Sequence, residues 1–213
     1  LEALRALDKK KKIALLTCPI EKKACYAAQF PYPGQTEFFQ NLFQRPTLML
    51  LAGPKLRVGL ATNHHPLKEV PSLITPHLIY EKLNIMWNTL KDYFLIPSPR
   101  IAVCSLNPHC GEDGQLGHEE KELIEPGIRR FSDDTKASLS GPHSADSVFR
   151  FAYQGQYDGV LAMYHDQGLA PLKALHFEDA VNITAGIPWL RTSPDHGPAK
   201  DLYLTRRACF RSF

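Results

Sequence analysis

The run Met163-Tyr164-His165-Asp166-Gln167-Gly168-Leu169-Ala170-Pro171-Leu172-Lys173 sets a histidine, an acid and a lysine within nine residues. It continues the apolar stretch Tyr157-Asp158-Gly159-Val160-Leu161-Ala162-Met163. An apolar strand that ends this way delivers polar groups to a loop at its C-terminal end, where open α/β sheets bind ligands. Two other apolar runs end alike. Residues 56–61 lead to His64, and residues 101–106 lead to His109. With His165 after residues 160–164, the three histidines read as one site.

Imidazole is the commonest biological metal ligand near neutral pH. Three imidazoles would leave open positions for substrate on a catalytic divalent ion. A single histidine at a strand end is ordinarily a loop residue; the recurrence of one context is what points to a ligand set. Asp166 could fix the His165 tautomer from behind. Lys173 could bind an anion or move a proton, although standing alone it would read as a surface lysine. Farther on, Val181-Asn182-Ile183-Thr184-Ala185-Gly186-Ile187-Pro188-Trp189-Leu190-Arg191-Thr192-Ser193 carries Asn182, Arg191 and a Thr/Ser pair. Such a set suits a phosphate or carboxylate. Asp195-His196-Gly197 follows, and its glycine permits close backbone approach to a ligand.

Working outward, residues 1–8 have helical spacing, with Leu1, Leu4 and Leu7 on one side. Strands are expected at 13–17, 48–52, 56–61, 100–106, 159–164 and 180–184. Gly53-Pro54 marks a turn between the second and third. Thr75-Pro76 opens a helix, with threonine as its N-cap and proline in its first turn. A second helix is expected over 119–130. Alternating strands and helices predict an α/β fold with a largely parallel sheet.

The 213 residues and 44% hydrophobic content suit one domain, or two small lobes, with a real core. The net charge is only +3, and basic residues are scattered apart from Lys9-Lys10-Lys11-Lys12. This argues against nucleic acid as a partner. Five cysteines without a C-x-x-C pair argue against a disulfide framework or zinc knot. No signal peptide and no apolar run near the ~20 residues of a membrane span is evident, so a cytoplasmic protein is expected. Both ends read as cuts into a longer fold, and Pro31-Tyr32-Pro33-Gly34 reads as a boundary.

Several segments together resemble the 4-hydroxythreonine-4-phosphate dehydrogenase family of pyridoxal 5′-phosphate biosynthesis. They are Thr36-Glu37-Phe38-Phe39, Leu60-Ala61-Thr62-Asn63-His64, Leu106-Asn107-Pro108-His109-Cys110-Gly111-Glu112, Gly141-Pro142-His143-Ser144-Ala145-Asp146, and the two runs quoted above. The resemblance implies an isocitrate/isopropylmalate dehydrogenase-like α/β fold, two lobes around a cleft. Residues 1–33 would be a remnant of the first lobe and 34–193 the central metal- and substrate-binding lobe. Residues 194–213 would return to the first lobe, which is incomplete.

It further implies NAD (or NADP) and a divalent metal (Zn, Mg or Co) held by His64, His109 and His165. Thr36, Lys173, Asn182 and Arg191 would contact a small phosphorylated amino-acid substrate. Lys173, Asp166 and Asp146 are the implied catalytic residues, and Asp195, His196 and Gly197 would lie near the cofactor. A homodimer would share its active sites. The implied reaction is oxidation of 4-phosphooxy-threonine and decarboxylation to 3-amino-2-oxopropyl phosphate. Two positions depart from the family pattern: Gln35 replaces a histidine and Pro198 a small hydroxyl residue. A sibling dehydrogenase, a non-catalytic remnant, and a three-histidine zinc hydrolase with Asp166 as its base are the competing readings.

Overall fold

The computed structural model describes residues 14–32, 34–203, 205, 207 and 211. The helical pattern at 1–8, the lysine run and Cys209 lie outside them. Eight strands form one sheet in the order β1-β8-β7-β2-β3-β6-β4-β5. They are β1 (Ala14–Leu16), β2 (Leu48–Ala52), β3 (Arg57–Leu60), β4 (Arg100–Cys104), β5 (Ser138–His143), β6 (Gly159–Ala162), β7 (Val181–Ala185) and β8 (Leu190–Pro194).

Alternation along the strands builds a three-layer core. Leu48, Leu50, Ile101, Val103, Leu161 and Met163 face one side, under α4 (Pro76–Asp92) and α5 (Glu125–Thr135). Met49, Leu51, Ala102, Cys104, Val160 and Ala162 face the other, under α6 (Ala145–Tyr153) and α7 (His165–His176). With both faces covered, each central strand reads as an unbroken apolar run. Thr75 caps α4 as expected, its Oγ1 accepting from Leu78 N at 3.0 Å.

The sheet is mixed rather than largely parallel. β3, β6, β4 and β5 run parallel, as do β1 and β8, but β2 is antiparallel to β3 and β7, and β7 to β8. The turn after Gly53 forces one of these reversals, because a parallel return needs a crossover of about a dozen residues. β5 and β8 lie at positions without an apolar run. β5 includes Gly141-Pro142 and is an edge strand, where proline is tolerated. Three short helices also escape the pattern: α1 (Lys22–Ala27), α2 (Gln35–Phe43) and α3 (Val70–Leu73). So does α6.

The run that opens the site is a helix, not a loop. α7 begins at His165 directly after β6 and buries Leu169, Leu172 and His176 along one side. Gly168 and Pro171 weigh as helix breakers in the sequence, yet packing overrides them. A Cβ on Gly168 would stand 2.7 Å from Val58 Cγ1, 2.9 Å from Leu60 Cδ2 and 3.0 Å from Ala162 Cβ. The bare backbone thus lets α7 settle onto β3 and β6.

Gly168→Ala should therefore destabilise the protein. Overpacking a closed contact costs about 1–3 kcal/mol, more than the up to ~1 kcal/mol of helix propensity that alanine returns. Urea denaturation should show a lowered midpoint; an unchanged or raised midpoint would contradict this packing.

Candidate active site

β3, β6 and β4 are neighbours and parallel, so the chain leaves all three at the same edge of the sheet. His64 and His165 meet there, with ring centroids 5.4 Å apart. Each ring is held through Nδ1. Glu37 Oε1 lies 3.3 Å from that nitrogen of His64, and Asp166 Oδ1 lies 2.7 Å from that of His165. This arrangement leaves the Nε2 side of each ring for a ligand.

The two rings line a cavity of about 580 Å³ shared with Gln35, Thr36, Asp166, Lys173, Asn182, Arg191 and Asp195 to Gly197. Arg191 is 3% exposed. Its Nε donates to Thr17 Oγ1 at 2.9 Å, Nη1 to Thr184 Oγ1 at 3.1 Å, and Nη2 to Gln35 Oε1. Burial pulls its pKa down to about 10, opposed by the nearby Glu37 carboxylate, so the guanidinium is charged at neutral pH. Thr36 Oγ1 lies 3.4 Å from Thr184 Oγ1. Lys173 Nζ pairs with Asp195 Oδ2 at 3.0 Å, tying α7 to the segment after β8. Asn182 Oδ1 is buried in the same wall without a hydrogen-bond partner. His196 Nδ1 lies 2.8 Å from Gly197 O.

His109 and Asp146 are not in this cavity. They line a separate pocket of about 210 Å³ with Ser144, Tyr164 and Gln167. Among the described residues of one chain, no three His, Cys, Asp or Glu side chains form a metal-binding group. Gln167 couples the two regions: Met163 N donates to its Oε1 and its Nε2 donates to Ser105 O, each at 2.7 Å. The His109 loop is held in an uncommon form, with positive φ from His109 through Asp113. Left-handed residues cost roughly 1–2 kcal/mol each. Glu120, buried at its base, counters this. Its Oε1 accepts from Leu106 N at 2.8 Å and Asn107 N at 2.7 Å, and its Oε2 from Asn107 Nδ2 at 3.1 Å.

The supporting residues Thr17, Glu37, Glu120, Gln167 and Thr184 were not picked out as site residues from the sequence. One signal was available: Gln35-Thr36-Glu37 is a polar triplet directly after Gly34, at the start of α2, where a helix end gathers polar groups.

Over residues 1–213 the chain matches the family model described as pyridoxal phosphate biosynthetic protein PdxA. The chain belongs to this family. A 4-hydroxythreonine-4-phosphate dehydrogenase from Geobacter metallireducens is 48% identical over 200 residues, 93% of this chain and 58% of its own length. The crystal structure of the enzyme of that name from Klebsiella pneumoniae superposes with a TM-score of 0.79 at 39% identity, covering 92% of this chain and 59% of the other. A terephthalate 1,2-cis-dihydrodioldehydrogenase from Burkholderia xenovorans LB400 superposes with a TM-score of 0.73 at 27% identity, covering 92% and 62%. The chain thus spans about three fifths of the length of these relatives.

Glu120→Ala would strand two backbone N–H groups at the base of the His109 loop. Each unsatisfied buried donor costs about 1–3 kcal/mol. Glu120→Gln keeps one acceptor oxygen and should cost less. Chemical denaturation of the two variants should rank them in that order; equal losses would show that the carboxylate oxygens do not anchor the loop.

Proposed function

We propose that this chain forms the metal- and substrate-binding part of a dehydrogenase that oxidises 4-phosphooxy-threonine and decarboxylates the product to 3-amino-2-oxopropyl phosphate. The observation that carries this reading is the convergence of a buried arginine, a lysine, an unpartnered amide oxygen and two imidazoles on one cavity. That set matches a substrate with a phosphate, a carboxylate, an amine and a hydroxyl.

Oxidation turns the hydroxyl carbon into a ketone β to the carboxylate, and the carboxylate then leaves as CO₂. A bound NAD would supply the hydride acceptor and a bound divalent ion would supply electron withdrawal at the reacting oxygen. The donor set fits such an ion: His64 and His165 each offer Nε2 with Nδ1 already held, the usual arrangement behind a metal-bound imidazole. His109 is the third proposed ligand. Because it lies in the adjoining pocket of its own chain, the set would be completed across a homodimer.

In this reading Arg191 holds the anion, Thr36 adds a hydroxyl contact, and Asn182 Oδ1 accepts from the substrate amine. Lys173, oriented by Asp195, protonates the carbon that loses CO₂. Asp166 keeps the His165 tautomer, and Asp146 serves proton movement beside His109. Asp195, His196 and Gly197 would border the cofactor. The proposed substrate is a small soluble metabolite, which fits cytoplasmic work. Among the described residues no helix is long and apolar enough to cross a membrane.

The test is NAD reduction with 4-phosphooxy-threonine and added divalent metal, in this chain alone and joined to the N-terminal lobe of a relative. The joined protein should turn over, and a chelator should abolish the activity. Turnover of neither protein would overturn the reading. Arg191→Lys keeps the charge but loses the planar fork. Losing one charge-assisted hydrogen bond of about 1.5–3 kcal/mol should lower kcat/KM by roughly 10- to 100-fold. Unchanged kinetics would remove Arg191 from substrate binding. Changing His64, His109 or His165 singly to Ala should each lower bound metal in the dimer, measured by elemental analysis.

A further inference from the structure

Gln35 stands at the first position of α2 and in the wall of the cavity. Its Oε1 accepts from Arg191 Nη2 and, at 2.8 Å, from Thr17 Oγ1. Its Nε2 donates to Cys18 O at 3.2 Å. An amide oxygen has two lone pairs, and both are engaged. Gln35 therefore cannot accept a hydrogen bond from a substrate hydroxyl or amine.

The donors of Arg191 complete the picture. Of its five N–H groups, one goes to Thr17, one to Thr184 and one to Gln35. One N–H remains on each terminal nitrogen, available for a charge-assisted hydrogen bond to an anion. We propose that Gln35 is a positioning residue for anion binding. Its neutral amide, held at the oxygen by Thr17 and at the nitrogen by Cys18 O, fixes the rotation of the Arg191 guanidinium and leaves its charge intact. This deepens the phosphorylated-substrate reading and rests on it. A carboxylate at this place would hold the same orientation but cancel the charge. An apolar side chain of similar length would keep the volume and lose the hold. Glutamine does neither, and it does not titrate.

Sulfate is the probe, because it keeps one charge state between about pH 6 and 8, where histidine titrates. Calorimetric titration of this chain at one fixed pH should show sulfate binding in the cavity. Gln35→Met should weaken sulfate binding about 5- to 10-fold, the loss of one ordering hydrogen bond, with the thermal midpoint kept. Gln35→Glu should weaken it at least as much, although the acceptor remains. Where 4-phosphooxy-threonine is turned over, both variants should raise KM by a similar factor and leave kcat within about twofold, since the hold acts on binding.

Wild-type affinity in Gln35→Met, or no sulfate binding by the unaltered protein, would overturn the proposal. If Gln35→Met fails to fold, Gln35→Leu, another neutral side chain without an acceptor, decides: weakened sulfate binding supports the role, and unchanged binding ends it. A normal sulfate pattern without any turnover of 4-phosphooxy-threonine would sink the substrate assignment and leave the role of Gln35 standing.

Discussion

The common polarity of β3, β6 and β4 is the constraint on which the site depends. Hydrogen bonding pairs Leu60 with Ala162, and Val103 with Leu161. The next residues of all three strands must then emerge at one edge. The polar groups there owe their proximity to backbone pairing and to a core closed on both faces. α7 adds to this, since it starts at the end of β6 and is drawn onto the sheet at Gly168, so His165 has little freedom of place.

The second element of the site is a buried charge. Removing a guanidinium from water is costly unless its hydrogen bonds are replaced, and burial does lower the pKa of Arg191. Thr17, Thr184 and Gln35 supply the replacements. They come from the segment after β1, from β7 and from α2, so holding one cation also ties three parts of the chain together. Phe39 adds an aromatic face 5.8 Å from the guanidinium carbon.

Much of this was legible in the residues. β2, β3, β4, β6 and β7 announce themselves because strands covered on both faces are largely apolar, Asn182 and Thr184 of β7 being the cavity-facing exceptions. β8 did not, since Arg191, Thr192 and Ser193 serve the cavity and break the apolar run. α7 is not legible as a helix because Gly168 and Pro171 speak locally for a loop, while Gly168 is required by its contacts with β6 and with β3, the latter about a hundred residues away in sequence. The shared context of His64 and His165 agrees with the meeting of their rings at one cavity. The same context also offered His109, but strand ends fix an edge and not a direction, and the left-handed turn at His109–Asp113 carries that ring to another pocket. Partners such as Thr17, 174 positions from Arg191, have no local signature.

The proposed metal site would hold a divalent ion on imidazole nitrogens at the cavity edge. X-ray absorption spectroscopy on the zinc-loaded protein tests this. One zinc per chain is expected, with nitrogen or oxygen ligands near ~2.0–2.1 Å, imidazole outer-shell scattering, and no sulfur. Zinc bound through sulfur near ~2.3 Å, or no stoichiometric zinc, would contradict it.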